Sequence, residues 1–338
     1  QWPPLNQGYS ENFASLNRNK RSAVLNLKDP QDVALARRLI LEADVLVENN
    51  RPGVMDRLGL GYAALSAEKP GLLFCSISAY GQSGPRSSEG GFDLTIQAAA
   101  GVMSVTGEPS GAPVKCGVPL SDFASGLYAA FSIAAMLVHV RSGGRGAHID
   151  IPMFGCTLGI AALQTSEYFG NGRSPVKLGS AHPRNAPYQA FQAQDGYFAI
   201  AAGNHKLWLD VLRVVDLPAL AEDPRFISTT DRAHNQEALK QLLEAVFTRQ
   251  PVAHWIAAFN DAGVPHARIN DYAAALSDPQ TAHMGWVQPL ELPGGQLTRT
   301  FGSPVRLNGK GFPIRRSPPA LGQHSDEIRA EYAQKEVS

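Results

Sequence analysis

The chain has 338 residues, 30 basic and 30 acidic side chains, and 44% hydrophobic residues. That is enough apolar material for a sizeable core and length enough for two domains. The balanced charge excludes the basic face of a nucleic-acid binder and the polybasic patch of a protein drawn to anionic lipid. The charged fraction of 18% falls below the ~25% usual for soluble proteins, so part of the surface is expected to be covered in an oligomer.

No apolar run approaches the ~20 residues of a bilayer span; Tyr128–Val140 is too short and runs into Arg141. The opening QWPPLNQGYS lacks the basic and apolar regions of a signal peptide. Cys75, Cys116 and Cys156 are odd in number and far apart, and read as reduced thiols of an intracellular protein. The histidines show no metal-ligand spacing, so no metal site is expected.

In chain order, residues 1–17 read as a polar loop with nothing to anchor it. Lys20–Lys28 reads as a strand, and Asp29-Pro30 as the cap and first turn of a helix with Val33, Ala36, Leu39 and Ile40 on one face. Asp44–Asn49 is a second strand, which completes a parallel strand–helix–strand unit of the α/β class. Arg51-Pro52-Gly53 breaks the chain, short helical pieces follow, and Leu72–Ser78 is a third strand. It leads into Tyr80–Pro85, a loop at a strand's carboxyl end, where open α/β sheets bind ligands.

Two helices start near Asp93 and Asp122, each after a run rich in Gly, Pro and Ser. The second is apolar all round, with Phe123, Leu127, Phe131, Ala134 and Val138 at helical spacing, and is therefore expected to be buried. Asp122 falls in its first turn, where the helix dipole favours the carboxylate. It reads either as a capping residue or as a carboxylate nucleophile. Ala147–Ile151 and Phe154–Phe169 continue the strand and helix alternation. The stretch GNGRSPVKLGSAHPRNAP (Gly170–Pro187) marks a domain boundary. Beyond it come a hairpin with its turn at Asp195-Gly196, three helices, an extended piece at Val264–Ile269, a second hairpin within Glu291–Leu307 and a short terminal helix. No phosphate-binding glycine loop is present, so nucleotide phosphates would be met by isolated basic residues such as Lys28, Arg51 and Arg57.

Several stretches in fixed order, LNRNKRSAVLNLK, ADVLVENNRPGVMDRLGLGY, SISAYGQSGP, GGFD, VPLSDFASGLYA and PPALGQH, resemble the family III CoA-transferases. This superfamily includes formyl-CoA transferase, carnitine CoA-transferase and α-methylacyl-CoA racemase. LGSAHPRNAPYQAF and DGYFAIAAGN most resemble the succinate–hydroxymethylglutarate CoA-transferase group, whose substrates are dicarboxylates. The resemblance implies a Rossmann-like large domain with a parallel sheet (1–178), a smaller α+β domain (179–300) and a C-terminal segment returning to the large domain (301–338), in an interlocked homodimer. Family members carry a further segment before the equivalent of Gln1 that resembles the first strand and helix of the large domain.

The resemblance implies Asp122 as nucleophile, Asp93 as a supporting acid, and CoA contacts at Leu25, Lys28, Asn49, Arg57 and Leu58. It implies CoA thioesters as substrates rather than a permanently bound cofactor, acyl-CoA and a carboxylic acid as the binding partners, and a cytoplasmic or mitochondrial-matrix location. His182 and Arg184 are candidates to hold the second carboxylate of a dicarboxylic acid. Phe92 stands where the racemase branch has a proton-carrying histidine, which favours transfer over a racemase-like activity. A non-catalytic CoA-binding subunit that needs a partner is the other alternative. The glycine-rich lid of formyl-CoA transferase is replaced by Gly179–Arg184, and Glu89-Gly90 stands where a basic residue often precedes the GGFD motif.

Overall fold

The computed structural model describes residues 2–334. Gln1 and residues 335–338, the outer ends of the first and last predicted segments, lie outside the described residues. The chain divides into two compact units, each built from separate stretches of sequence. The first comprises residues 1–76, 132–149 and 270–338; the second comprises residues 77–131 and 150–269.

The first unit is organised on a parallel pair, Val45–Glu48 beside Leu73–Ser78, in register from Val45 opposite Leu73 to Glu48 opposite Ser76. Leu73–Ser78 is the middle of a three-stranded sheet whose other edge is His148–Pro152. A middle strand covered on both faces needs a continuous apolar run rather than alternation, and Leu73, Phe74 and Cys75 are all buried. Helix Pro30–Glu42 is capped by Asp29, whose side chain accepts from Gln31 N. It sends Ala36 and Ile40 into a core with Leu60, Leu65, Leu72 and Phe74.

Lys20–Lys28, expected as the first strand of this unit, joins no sheet. Its backbone groups are taken by the C-terminal segment instead. Ser22 N donates to His324 Nδ1 (3.1 Å) and Val24 N to Ser325 Oγ (3.0 Å). His324 N donates to Ser22 O at 2.9 Å, and Gly322 N to Ser22 Oγ at 3.0 Å. Asn26 N donates to Asp32 (2.6 Å), which also pairs with Arg329 at 2.6 Å. Side chains together with the backbone of His324, not a neighbouring strand, satisfy this stretch.

The expected N-terminal loop is also corrected. Leu5-Asn6 pairs with Tyr9-Ser10, and Gln7 and Gly8 turn the chain at positive φ. Ser10 then caps helix Glu11–Leu16 through Phe13 N at 3.1 Å. The piece is anchored by Ala14 against Leu290 and Leu292 and by the Tyr9 hydroxyl on Pro319 O.

In the second unit the predicted hairpin forms, with Tyr188–Ala193 antiparallel to Gly196–Ala201 and His266–Arg268 added on the far side. Its inward residues Phe191 and Phe198 meet Phe247 and Phe259 in a ring cluster, with Phe198 and Phe247 edge-to-face at 5.0 Å. Arg232 is wholly buried here, its guanidinium over Trp208 and its nitrogens donating to Ala186 O, Phe226 O and Ile227 O.

The long apolar helix runs from Leu120 to Arg141 and overturns two expectations. It is not buried within the chain: Leu127 is 70% exposed and Phe131 59%. At 22 residues, with a mean hydropathy of 1.7 over an 18-residue stretch within it, it is also long and apolar enough, by those measures alone, to cross a membrane. The helix starts eight residues before Tyr128, because Ser121, Ser125 and Gly126 continue it and Asp122 is the one charge in that added stretch.

Candidate active site

The helix Asp93–Ala99 begins where Phe92 N donates to Thr95 Oγ1 (3.0 Å), which fixes its first turn. Four residues on, Gln97 lies on the same helix face and its Nε2 donates to Asp93 Oδ2 at 2.8 Å. The other Asp93 oxygen, Oδ1, accepts from Ser121 N at 2.9 Å. Ser121 is the second residue of the long helix, and its amide is one of the donors a helix start leaves without an internal partner. Asp93 therefore caps the long helix from a distant part of the sequence.

This leaves Asp122 free. Its carboxylate has no hydrogen-bond or ion-pair partner among the described residues. Of the two sequence readings, the cap belongs to Asp93. Burial by neighbouring atoms raises the Asp122 pKa above the usual aspartate value, and the negative charge of Asp93 adds to the rise. Asp122 is nonetheless an exposed residue; a carboxylate packed on one side and open on the other satisfies both findings. A raised pKa makes a carboxylate a stronger base, and openness leaves it within reach of a second molecule.

Phe92 is 78% exposed beside Asp93 and offers an apolar surface but no proton. The Gly- and Pro-rich connection between the two helices is tied down at both ends of its loop. Gly179 N donates to Gly107 O at 3.0 Å, Lys177 Nζ contacts Gly111 O, and Cys116 N donates to Gln97 Oε1 at 2.9 Å. A cavity of about 430 Å³, lined by Val105, Leu120, Thr157, Gln164, Tyr168 and others, opens next to the same helix start. Leu120 lines it two residues before Asp122, and neither Asp93 nor Asp122 is among its lining residues.

His182 stacks on Tyr188 with ring centres 5.0 Å apart, and its Nδ1 accepts from Arg184 N at 3.2 Å. Burial, then the positive charge of Arg184, lowers the His182 pKa. Arg184 itself is exposed and makes a long contact, 3.4 Å, with Glu167.

The residues expected to contact CoA all lie in the first unit. Leu25 and Leu58 are brought together against one apolar core cluster. Asn49 is exposed just after strand Val45–Glu48, and Lys28 is exposed at the end of the clamped segment. Arg57 closes the short helix Val54–Arg57 that Gly53 opens at φ 79°. A Cβ at Gly53 would lie 3.2 Å from the Arg57 guanidinium, so the glycine makes room for that side chain. Gln97 was not anticipated; the available signal was an amide four residues after Asp93 on a helix.

The chain matches CoA-transferase family III over residues 1–325. It is 40% identical to an acetyl-CoA:oxalate CoA-transferase of Acetobacter aceti, over 96% of this chain and 83% of that one. It is 34% identical to the human succinyl-CoA:glutarate CoA-transferase, over 97% of this chain and 75% of that one. A crystal structure of a CaiB/BaiF family protein from Brucella suis superposes with a TM-score of 0.83 at 36% identity, covering 96% of this chain and 85% of that one. With a match across nearly its whole length and relatives that move CoA between acids, the chain belongs to CoA-transferase family III and is an enzyme of that family.

Proposed function

We propose that the protein moves CoA from a dicarboxylyl-CoA, with succinyl-CoA the leading donor, to a carboxylic or dicarboxylic acid through a thioester on Asp122. The observation that carries this reading is the unpartnered Asp122 carboxylate, set in the first turn of a helix whose cap is supplied by another residue. The names of the succinate–glutarate and oxalate relatives support an acid as acceptor.

In this scheme an Asp122 oxygen attacks the thioester carbonyl, the carbon–sulfur bond breaks, and CoA leaves as thiolate. The thiolate then attacks the Asp122 carbonyl carbon of the mixed anhydride and expels the donor carboxylate, leaving an aspartyl-CoA thioester. The acceptor carboxylate attacks that thioester, again frees the thiolate, and the thiolate takes the acceptor acyl group from the second anhydride. Asp122 is restored, one thioester has been exchanged for another, and no proton or ATP is consumed. The raised pKa of Asp122 favours its attack, and the first-turn dipole helps hold its charge between steps. CoA lies on Leu25, Lys28, Asn49, Arg57 and Leu58, with the two leucines as apolar walls and Lys28 and Arg57 on phosphate. Arg184 holds the far carboxylate of a dicarboxylic acid, with His182 fixing the Arg184 backbone. A second copy of the chain covers the exposed apolar face of the long helix, where Phe123, Leu127, Phe131 and Val138 are all open to solvent in the single chain.

The test is intact mass after mixing with succinyl-CoA, with and without hydroxylamine, for wild type and Asp122→Ala. An adduct that maps to Asp122 and vanishes in the variant is the expected result; an adduct that survives in Asp122→Ala would refute the assignment.

A further inference from the structure

Gln97 is 0% exposed. A wholly buried amide is retained only if its polar ends are satisfied, and here both ends are used in one direction. Cys116 N can only donate, so it fixes which end of Gln97 is the oxygen. The Nε2 end must then point at Asp93, which accepts it on Oδ2. Asp93 accepts Ser121 N on its remaining oxygen. The amide cannot flip without setting donor against donor at Cys116. The connection before the long helix, the helix that carries Asp93, and the first turn that carries Asp122 are thus joined by one chain of hydrogen bonds through Gln97.

We propose that Gln97 is a positioning residue for the transfer reaction: by holding Asp93 on Ser121 N it sets where the first turn of the long helix, and with it the Asp122 carboxylate, stands. The inference rests on the reading of Asp122 as the nucleophile. Gln97 touches no reacting atom and acts through Asp93. The negative charge of Asp93 reaches Asp122, so an Asp93 released from Gln97 changes both the geometry and the field at the nucleophile.

Two variants test it. Gln97→Leu keeps the bulk and removes both bonds. Gln97→Glu keeps the shape and the acceptor for Cys116 N, but donates to Asp93 only while one proton is shared between the two carboxyls. The readouts are the rate of adduct formation on Asp122 in a single turnover, kcat and KM for the acyl-CoA, and their dependence on pH. We expect Gln97→Leu to slow adduct formation and kcat by about tenfold to a hundredfold, the scale of a misplaced reacting group, with little change in KM. We expect Gln97→Glu to work better than Gln97→Leu at low pH and to lose that advantage as pH rises and a second negative charge faces Asp93. A purely structural role would instead lower the unfolding stability and the folded fraction of both variants while leaving the single-turnover adduct rate per folded molecule at the wild-type value. Adduct formation in Gln97→Leu at the wild-type rate, or parallel pH profiles for the two variants, would overturn the proposal. A wild-type enzyme that forms no adduct on Asp122 would overturn the functional reading beneath it, so the two failures are told apart.

Discussion

Replacing His324 with alanine probes the fastening of the segment that carries Leu25 and Lys28. His324 is 8% exposed, and its Nδ1 accepts from Ser22 N at 3.1 Å. In a neutral ring with Nδ1 accepting, Nε2 carries the proton, so it cannot also accept from Arg316 Nη1, which lies 3.1 Å away. Only the Ser22 bond is counted. A hydrogen bond contributes about 0.5–1.5 kcal/mol, and an orphaned buried donor costs about 1–3 kcal/mol. Ser22 is half-buried and water reaches part of the site, which places the loss at about 1–2 kcal/mol. The backbone bond from His324 N to Ser22 O survives the change. At 1.4 kcal/mol per factor of ten, the segment around Ser22 should open about 5- to 30-fold more often. Hydrogen exchange at the Val24 amide, whose bond to Ser325 Oγ the substitution leaves in place, reports that opening. On the proposed placement of CoA, the KM for acyl-CoA should rise, with kcat retained, only by the share of molecules that the opening makes unable to bind. Faster exchange that saturating CoA does not slow would refute the placement of CoA on this segment. Unchanged exchange would refute the clamp.

Three other outcomes follow from the same geometry. Asp93→Asn keeps an acceptor for Ser121 N but sets an amide nitrogen against Gln97 Nε2, so denaturant unfolding should show a loss of about 1–3 kcal/mol; losing the negative charge also lowers the Asp122 pKa, which moves the acid limb of the activity profile to lower pH. Asp122→Asn should abolish the adduct yet raise Tm at neutral pH. The sign follows from the raised pKa of Asp122: its charged form is disfavoured by folding, a cost absent below the unfolded aspartate pKa of about 3.9 and complete above the folded one. Thermal scans should therefore show the two proteins converging as pH falls. Arg232→Ala should destabilise the second unit by about 3–5 kcal/mol in a denaturant titration, because three carbonyls lose their donor and a cavity opens under Trp208. Arg232→Lys should recover only part of this, since one ammonium cannot serve the same fork of acceptors.

Local signals were read well where the sequence neighbours are also the structural neighbours. Asp29-Pro30 caps its own helix, the run Leu73–Ser78 is the covered middle strand, and the hairpin forms with its turn one residue earlier than read, at Gln194-Asp195, Gly196 being already paired with Ala193. The errors fall where the partner is remote. Lys20–Lys28 has a strand's composition, but its bonding partners stand some three hundred positions later, at His324 and Ser325. Asp122 has a cap's position, but the cap arrives from Asp93. The long helix has the apolar surface of a buried element, and periodicity records that a face seeks cover without recording what supplies it. Gln97 looks like any polar helix residue until its four-residue spacing from Asp93 is combined with a backbone amide from Cys116.

The bonds between Ser22 and His324 also bear on the order in which the protein can be completed as it is made. A growing chain emerges from its amino end, so the Ser22 and Val24 amides lack these partners until about three hundred further residues are added. Residues 77–131 and 150–269, which form the second unit, are all synthesised before the partner of Ser22 exists. The first unit, although it begins first, is the one that finishes last. Closing so long a loop adds little entropy beyond that of a shorter one, but it makes the arrival of the C-terminal helix the step that fixes Leu25 in place. A chain that stops short of His324 should therefore show its damage near its beginning, as weak hold on CoA, while the ring cluster around Phe198 and Phe247 forms as before.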